Sequence, residues 1–275
     1  MMKAQETDVV RVRAAGTTSA SDWVAIERPL EIRVRAGETE RVLSTTMRTP
    51  GDDRALAAGF LYAERVIRHP RQLCAVESVG DDAVMVQLDA AAAADIEAAQ
   101  RPFVTSGACG VCGRKDLRAL FDLSGAPGDG SPRDPRWPRL APAVIHALPS
   151  GLRAAQATFA RTGGLHAAGL FTVDGVARAV HEDVGRHNAV DKLVGTFILD
   201  GRLPDADCVL VVSGRASFEL VQKAAVAAIP IMVAVGAPSS LAVEVARDAG
   251  MTLLGFVRDG GFNIYCGAAR IVGVA

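Results

Sequence analysis

From His146 to Ala275 short apolar runs alternate with amphipathic stretches, and this rhythm restricts the fold more than any other feature of the chain. Leu170–Val173 and Ala177–Val180 flank the turn Asp174-Gly175, and Val190, Leu193, Val194 and Phe197 form a helical stripe. Cys208–Val212 reads as a buried strand, Phe218–Ala228 as a helix, and Ile231–Val235 as the next strand. A helix over Ser240–Ala249, ended by Gly250, leads to a strand over Thr252–Val257 and a last one over Asn263–Cys266. Such alternation predicts an α/β unit with a largely parallel sheet and helices on its faces. Ligands of such sheets sit beyond the carboxyl ends of the strands, which points to the loops after Val180, Val212, Val235 and Val257.

Those loops hold the unusual chemistry: HEDVGRHNAVDK (His181–Lys192), SGRASFELVQK (Ser213–Lys223) and FVRDGGFN (Phe256–Asn263). Each joins glycine, which lets backbone N–H groups approach a ligand, to cations that neutralise phosphates: Arg186, Lys192, Arg215, Lys223 and Arg258, with Ser213 beside a helix start. The simpler alternative is a set of solvated loop ends with local ion pairs, such as His187 with Asp191 one helical turn later.

The stretch TSGACGVCG (Thr105–Gly113) sets Cys109 and Cys112 in a glycine-rich loop that runs into the helix-like RKDLRALF. The positive end of that helix, together with Arg114, Lys115 and Arg118, favours thiolate over thiol, so Cys109 or Cys112 is a candidate nucleophile or carrier of a soft atom. A C-x-x-C pair is also half of a zinc site. No second C-x-x-C completes one, and Cys74, Cys208 and Cys266 stand singly. No permanently bound metal is expected.

The amino-terminal part reads as mixed α+β. Leu30, Ile32 and Val34 alternate with Glu31, Arg33 and Arg35, Ala36-Gly37 supplies a turn, and a second strand covers Val42–Met47. Thr49 and Pro50 offer an N-cap and a first-turn proline to a helix with Leu56, Phe60 and Ala63 on one face. Val76, Val79, Val84, Val86 and Leu88 around Gly80-Asp81-Asp82 suggest another hairpin, and residues 90–100 have high helix propensity. Prolines and glycines crowd the chain from Leu123 to Pro142 and predict an exposed, mobile connection. The expected organisation is therefore residues 1–104 (mixed α+β), 105–122 (C-x-x-C loop and helix), 123–145 (connection) and 146–275 (α/β domain).

The 275 residues, 49% hydrophobic and 22% charged, suffice for a sizeable core, and a net charge of −1 disfavours indiscriminate nucleic-acid binding. The apolar runs are too short to cross a bilayer, and MMKAQETDVVRVRAAG lacks the apolar centre of a secretion signal. A reducing cytoplasmic setting without structural disulfides is expected.

Taken in order, RPLEIRV, MRTPGDDRALAAGFLYAE, SGACGVCGRKDL, TGGLHAAGL, HEDVGRHNAVDKLVG, VSGRASFELVQKA, APSSLAVEVARDAG and GFVRDGGFNIY make the chain resemble the FdhD family, from about Arg28 to Tyr265. The resemblance implies a three-layer αβα main domain like that of cytidine deaminases, a homodimer, and an accessory sulfurtransferase of formate dehydrogenase. In that role a cysteine desulfurase supplies sulfur, which passes to the molybdenum or tungsten bis-guanine-dinucleotide cofactor, held as substrate before it enters the catalytic subunit of formate dehydrogenase. By motif the persulfide position falls on Cys109 and its companion on Cys112. The stretch tied to the guanine nucleotide falls on Phe256, Val257, Arg258, Asp259, Gly260 and Gly261, followed by Phe262 and Asn263. The chain departs from the family at Arg65, where glycine is usual, and in its long proline-rich connection. Two other classes are distinguished by chemistry. A zinc-dependent nucleobase deaminase carries H-x-E before P-C-x-x-C, an order absent here, and a non-catalytic cofactor chaperone needs no thiol.

Overall fold

Leu30, Ile32 and Val34, the residues expected on one strand face, are fully buried in β3 (Arg28–Ala36), which pairs antiparallel with β4 (Thr39–Arg48). The structure, a computed structural model, describes residues 2–90, 103–105 and 138–274, the side chains of 103–105 excepted. Cys109, Cys112, the helix expected over residues 90–100 and most of the connection lie outside the described residues. β5 (Leu73–Ser78) and β6 (Ala83–Leu88) form the second expected hairpin, and β6 pairs parallel with β3. β7 (Phe103–Thr105) adds to β4, giving the order β5-β6-β3-β4-β7.

The helix α1 (Asp53–Ala63) starts differently from the sequence expectation. Its N-cap is Asp52, in a left-handed conformation at φ 58°, and Asp53 in the first turn is gripped by both arms of the buried Arg48 guanidinium at 2.9 and 3.0 Å. Thr49 is not the cap, because its backbone and hydroxyl are engaged across the molecule by Asp183, Val184 and Lys192. The expected face of Leu56, Phe60 and Ala63 is only part of what α1 buries: every residue from Ala55 to Ala63 is buried. A helix apolar all round is enclosed on all sides, here by the five-stranded sheet and a second helix over Arg186–Leu199.

That second helix belongs to the carboxyl-terminal half. Helices α2 (Pro142–Ala154), α3 (Ala157–Thr162), α4 (Arg186–Leu199), α5 (Phe218–Val226) and α6 (Ser240–Asp248) accompany a six-stranded sheet. Its strands are β8 (His166–Thr172), β9 (Ala177–Asp183), β10 (Cys208–Val212), β11 (Ile231–Ala234), β12 (Thr252–Arg258) and β13 (Gly261–Cys266), in the order β13-β12-β11-β10-β8-β9. The expected largely parallel sheet is corrected to a mixed one. Only β10-β11 and β11-β12 are parallel, whereas β8, β9 and β13 join through antiparallel pairings. The turn at Asp174-Gly175 already marks β8-β9 as a hairpin, which cannot be parallel.

Alternation along the buried strands divides the packing between two faces. Leu210, Val212, Met232, Ala234 and Leu253 face the core shared with α1, α4, α5 and α6, while Val209, Val211, Ile231, Val233 and Leu254 face Ile145, Leu148 and Leu152 of α2. Each such Val, Leu or Ile contributes about 1.5–3 kcal/mol on burial. The first cluster runs without a break from Leu30 and Leu88 in the amino-terminal sheet to Leu253, so residues before 105 and after 146 share one interior.

The two halves approach closely where α1 packs against α4. A Cβ on Gly59 would fall 1.9 Å from the Asp191 carbonyl oxygen, and one on Gly195 would fall 1.8 Å from that of Ala55. These two glycines let the helix backbones touch. At the carboxyl end of the connection expected over 123–145, Leu140 is buried and bridges to Ile271, and Pro142 occupies the first turn of α2. Pro fits there because no intrahelical bond needs its missing N–H.

Before Leu30 the sequence reading assigns no element, yet β1 (Ala4–Arg13) and β2 (Gly16–Ala25) form a two-stranded antiparallel hairpin. Val10 and Val12 are 67% and 77% exposed, and the base is fixed by Lys3 on Asp52 and by Arg161 of α3 over the Trp23 ring at 3.1 Å.

Candidate functional site: the loops at the strand ends

The sheet order brings the ends of β9, β10, β11 and β12 and the start of β8 to one edge. There the loops are stitched side by side. Ser213 N donates to Ala167 O at 3.0 Å, Gly236 N to Gly214 O at 2.9 Å, and Phe256 N to Gly236 O at 3.1 Å. A side chain at Gly236 would press its Cβ to 3.0 Å from Arg215 Cα and from Gly214 O, so this contact favours glycine. The result is a strip of backbone and cations of the kind the sequence places after Val212, Val235 and Val257.

Most of the expected residues stand on or beside this strip. Ser213 Oγ accepts from Ala167 N at 2.9 Å, which leaves its hydroxyl proton free to donate. Arg215 is exposed beside it. Arg186 opens α4, and its Nε is buried without a hydrogen-bond partner among the described residues. Phe256, at φ 54°, is exposed, as are Arg258, Asp259 and Gly260, and Gly261 opens β13. Arg258 O lies 3.1 Å from His146 Nδ1 of α2, whose ring stands against Phe262. Val257 differs, since its side chain is fully buried beneath α2 and offers a ligand only its backbone.

Lys223 is not in this strip. Its ammonium sits 2.7 and 2.9 Å from the two carboxylate oxygens of Asp191, inside the packing of α5 on α4. Burial pushes the Asp191 carboxyl up, and Lys223 opposes that shift. Nor does His187 pair with Asp191: its Nε2 meets Glu219 at 2.7 Å and Ser217 Oγ at 3.4 Å.

The acidic and histidine residues of HEDVGRHN have partners that give them structural work. Asp183, fully buried, accepts from Thr49 N (3.1 Å), Gly185 N (2.8 Å) and Asn188 Nδ2 (3.0 Å), and pairs with Lys192 at 2.7 Å. Lys192 Nζ also donates to Thr49 O at 2.7 Å, and Thr49 Oγ1 accepts from Val184 N at 3.1 Å. Glu182 accepts from Thr158 N and Phe159 N at 2.9 and 2.7 Å, satisfying free donors at the start of α3. His181 turns to Thr196 Oγ1 at 3.0 Å and towards Asp52 at 3.6 Å. His181 and His187, spaced like a zinc-binding pair, thus face different partners.

Between α2, α3 and the strip lies a cleft of about 570 Å³ whose walls include Arg153, Gln156, Phe159, His166, Ser213 and Val235. Burial, helped by the nearby charges of Arg186 and His187 and opposed by Asp183, depresses the His166 pKa below its ordinary value. The ring is therefore neutral at neutral pH, with one donor and one acceptor nitrogen. Gln156 and His166 were not among the residues expected from sequence. The signal for His166 was its place after Gly163-Gly164 at the mouth of a strand; Gln156 carried none.

The other cysteines are poor sulfur carriers where they are buried. Burial, reinforced by Asp207 and Asp205, pushes Cys208 up to about 12, and burial raises Cys266, whose Sγ lies 3.3 Å from Met251 O. Cys74 is exposed.

The sequence profile of the FdhD/NarQ family matches residues 25–272. A protein of Streptomyces coelicolor named sulfur carrier protein FdhD is 45% identical over 279 residues, covering 96% of this chain and 94% of its own. Proteins of the same name from Corynebacterium efficiens (48% identical, 90% of each chain) and Sulfolobus acidocaldarius (41% identical, 98% of this chain and 99% of its own) are similar throughout. Among solved structures, a protein from Desulfotalea psychrophila described as a formate dehydrogenase accessory protein superposes with a TM-score of 0.77. It covers 98% of this chain and 100% of its own at 23% identity, which speaks to the fold.

Proposed function

Because this chain belongs to the FdhD/NarQ family, we propose that it is a sulfur carrier that serves formate dehydrogenase, with Cys109 as the carrying thiol. The Cys109 thiolate attacks the terminal sulfur of a persulfide on a cysteine desulfurase. A new S–S bond forms at Cys109 Sγ, the donor's S–S bond breaks, and the donor cysteine leaves as thiolate. Cys112 either accepts the terminal sulfur by the same exchange or attacks Cys109 Sγ, releasing hydrosulfide and leaving a Cys109–Cys112 disulfide for an external thiol to reduce. The acceptor is the molybdenum or tungsten bis-guanine-dinucleotide cofactor, held as substrate on the strand-end strip and passed on to the catalytic subunit of formate dehydrogenase.

One observation carries this reading. Thr105 in β7 pairs with Thr46, and Thr46 Oγ1 lies 3.4 Å from Asn188 Oδ1 in the first turn of α4, two residues after Arg186. Thr105 stands only four residues before Cys109 in the sequence, a span of at most about 14 Å of chain, which supports assigning the thiol and the strip to one reaction. Arg186, Arg215 and Arg258 supply the charge that pyrophosphates need, and among the described residues the Arg186 Nε has no partner of the kind a phosphate oxygen would provide. Phe256, the backbone of Val257, Asp259, Gly260 and Gly261 complete the stretch assigned to the nucleotide. The homodimer, the cytoplasmic setting and the cytidine-deaminase-like layering are carried with this proposal; helices on both faces of the six-stranded sheet support the last.

Incubation with a desulfurase and free cysteine should add one sulfur to the Cys109–Cys112 peptide, read by mass spectrometry. A fully active formate dehydrogenase matured with the Cys109→Ser, Cys112→Ser protein would overturn the proposal and favour a passive chaperone.

A further inference from the structure

The tip of the β12-β13 hairpin carries Arg258, yet the ladder beneath it is broken. Gly255 pairs with Asn263 and Arg258 with Gly261, so Phe256 and Val257 stand against the single residue Phe262. That is a β-bulge, a device that bends a strand and re-aims the side chains beyond it. Phe256 within it adopts φ 54°, a left-handed conformation that costs an aromatic residue free energy and persists where the surroundings hold it. Past the bulge the tip closes over Asp259 and Gly260, the latter at φ 83°.

Helix α2 holds this tip from outside the sheet. Ile145, Leu148 and Leu152 pack the helix on the sheet face, and the buried Val257 side chain belongs to the same cluster. His146, next to Ile145, reaches the residue after Val257: its Nδ1 lies 3.1 Å from Arg258 O. A carbonyl only accepts, so Nδ1 carries the proton and donates. The same ring stands 5.2 Å from that of Phe262 at a tilt of 56°, an arrangement that aromatic pairs favour. One side chain thus grips both strands of the tip, β12 through a backbone carbonyl and β13 through a ring contact. Arg258 itself is exposed. An exposed arginine gives up rotamer freedom when it binds an anion, and fixing the backbone from which it springs lowers what is lost.

We propose that His146 is a positioning residue for the phosphate contact: it holds the turn in the conformation from which the Arg258 guanidinium meets a pyrophosphate on the strand-end strip. The inference rests on the cofactor reading above and deepens it, naming a residue of α2 that lies outside every motif of the family resemblance.

The test is a double-variant cycle read by titration calorimetry of the full chain with GDP, with thermal melts as a check on folding. His146→Phe keeps a ring against Phe262 and removes the donor; it should weaken GDP binding about fivefold. His146→Asn, whose amide N–H takes the place of Nδ1, should recover part of that loss. Made in the Arg258→Ala chain, His146→Phe should have no further effect, because the group it positions is gone. A fivefold loss that persists in the Arg258→Ala chain overturns the proposal, as does unchanged binding in His146→Phe when Arg258→Ala alone weakens it. The cycle decides even if His146→Phe lowers the melting temperature, since a general loosening adds to the Arg258→Ala loss and a positioning role does not. Should GDP fail to bind the wild-type chain, or bind the Arg258→Ala chain undiminished, the phosphate strip itself falls and takes this inference with it.

Discussion

Asp183 at the end of β9 and Lys192 in α4 meet at 2.7 Å with neither side chain reaching solvent, and both also bond the backbone of Thr49. The pair therefore ties the loop that opens the strand-end strip to the strand-to-helix turn of the other half. Asp183→Asn leaves a buried ammonium without a counter-charge and should cost about 3–5 kcal/mol, whereas Asp183→Asn with Lys192→Met should cost less than either change alone predicts. Denaturant melts of the two single variants and the double variant measure the coupling.

Arg258 and Lys223 should separate binding from stability. Arg258→Ala is expected to weaken GDP binding about tenfold and leave the melting temperature unchanged. Lys223→Met leaves Asp191 buried and unpaired, so the melting temperature should drop by an amount corresponding to about 3 kcal/mol. Calorimetry and thermal melts on both variants read the two effects.

Arg65 adopts φ 61° just after the end of α1, the left-handed position where helices favour glycine. The glycine that the family resemblance leads one to expect here would suit that backbone conformation. Arg65→Gly should be more stable than Arg65→Ala by about 1 kcal/mol, a comparison that removes the Arg65 side chain from both sides. Equal denaturation midpoints would refute it.

The Asp52 carboxylate is held below its ordinary value of 3.8, chiefly by the His181 ring 3.6 Å away and further by Lys3, against the opposing effect of burial. A depressed folded-state pKa stabilises the protein at pH values above the unfolded pKa. That stabilisation is lost as pH falls from about 4 through the lower folded value. Asp52→Asn keeps a residue tolerant of the left-handed conformation and should flatten the acid limb of stability against pH below about 4. An unchanged limb would remove this carboxylate from the account.

Iodoacetamide at pH 8 should modify the exposed Cys74 readily and Cys208 hardly at all, since a pKa of about 12 leaves on the order of one thiolate in 10,000. After loading with sulfur, protection from alkylation should appear on the Cys109–Cys112 peptide. Protection confined to Cys74 would reassign the carrier.

Much of the architecture could be read from local pattern, because alternation and helical stripes are set by which face each residue buries. Leu30, Ile32, Val34 and the run Cys208–Val212 behave as their neighbours dictate. Strand direction is another matter: periodicity is the same whether β13 runs with or against β12, and only the turn length tells. Partners distant in sequence were equally hidden. Lys223 looks like a phosphate ligand until Asp191 is found beside it, and Thr49 looks like a cap until the loop after β9 claims it. Gln156 is marked solely by an Nε2 without a partner among the described residues, which no sequence can display. The β1-β2 hairpin was missed because its strands bury little, so they leave little alternation to read.

The contact at Gly59 and Gly195 also bears on how members of this family exchange parts. Where two helices are separated by less than a methyl group, a chimaera joined near residue 105 inherits its fit from those two positions, and a single alanine in either donor would spoil an otherwise compatible graft. Recombination should therefore succeed between parents that both keep the notch and fail where one has filled it.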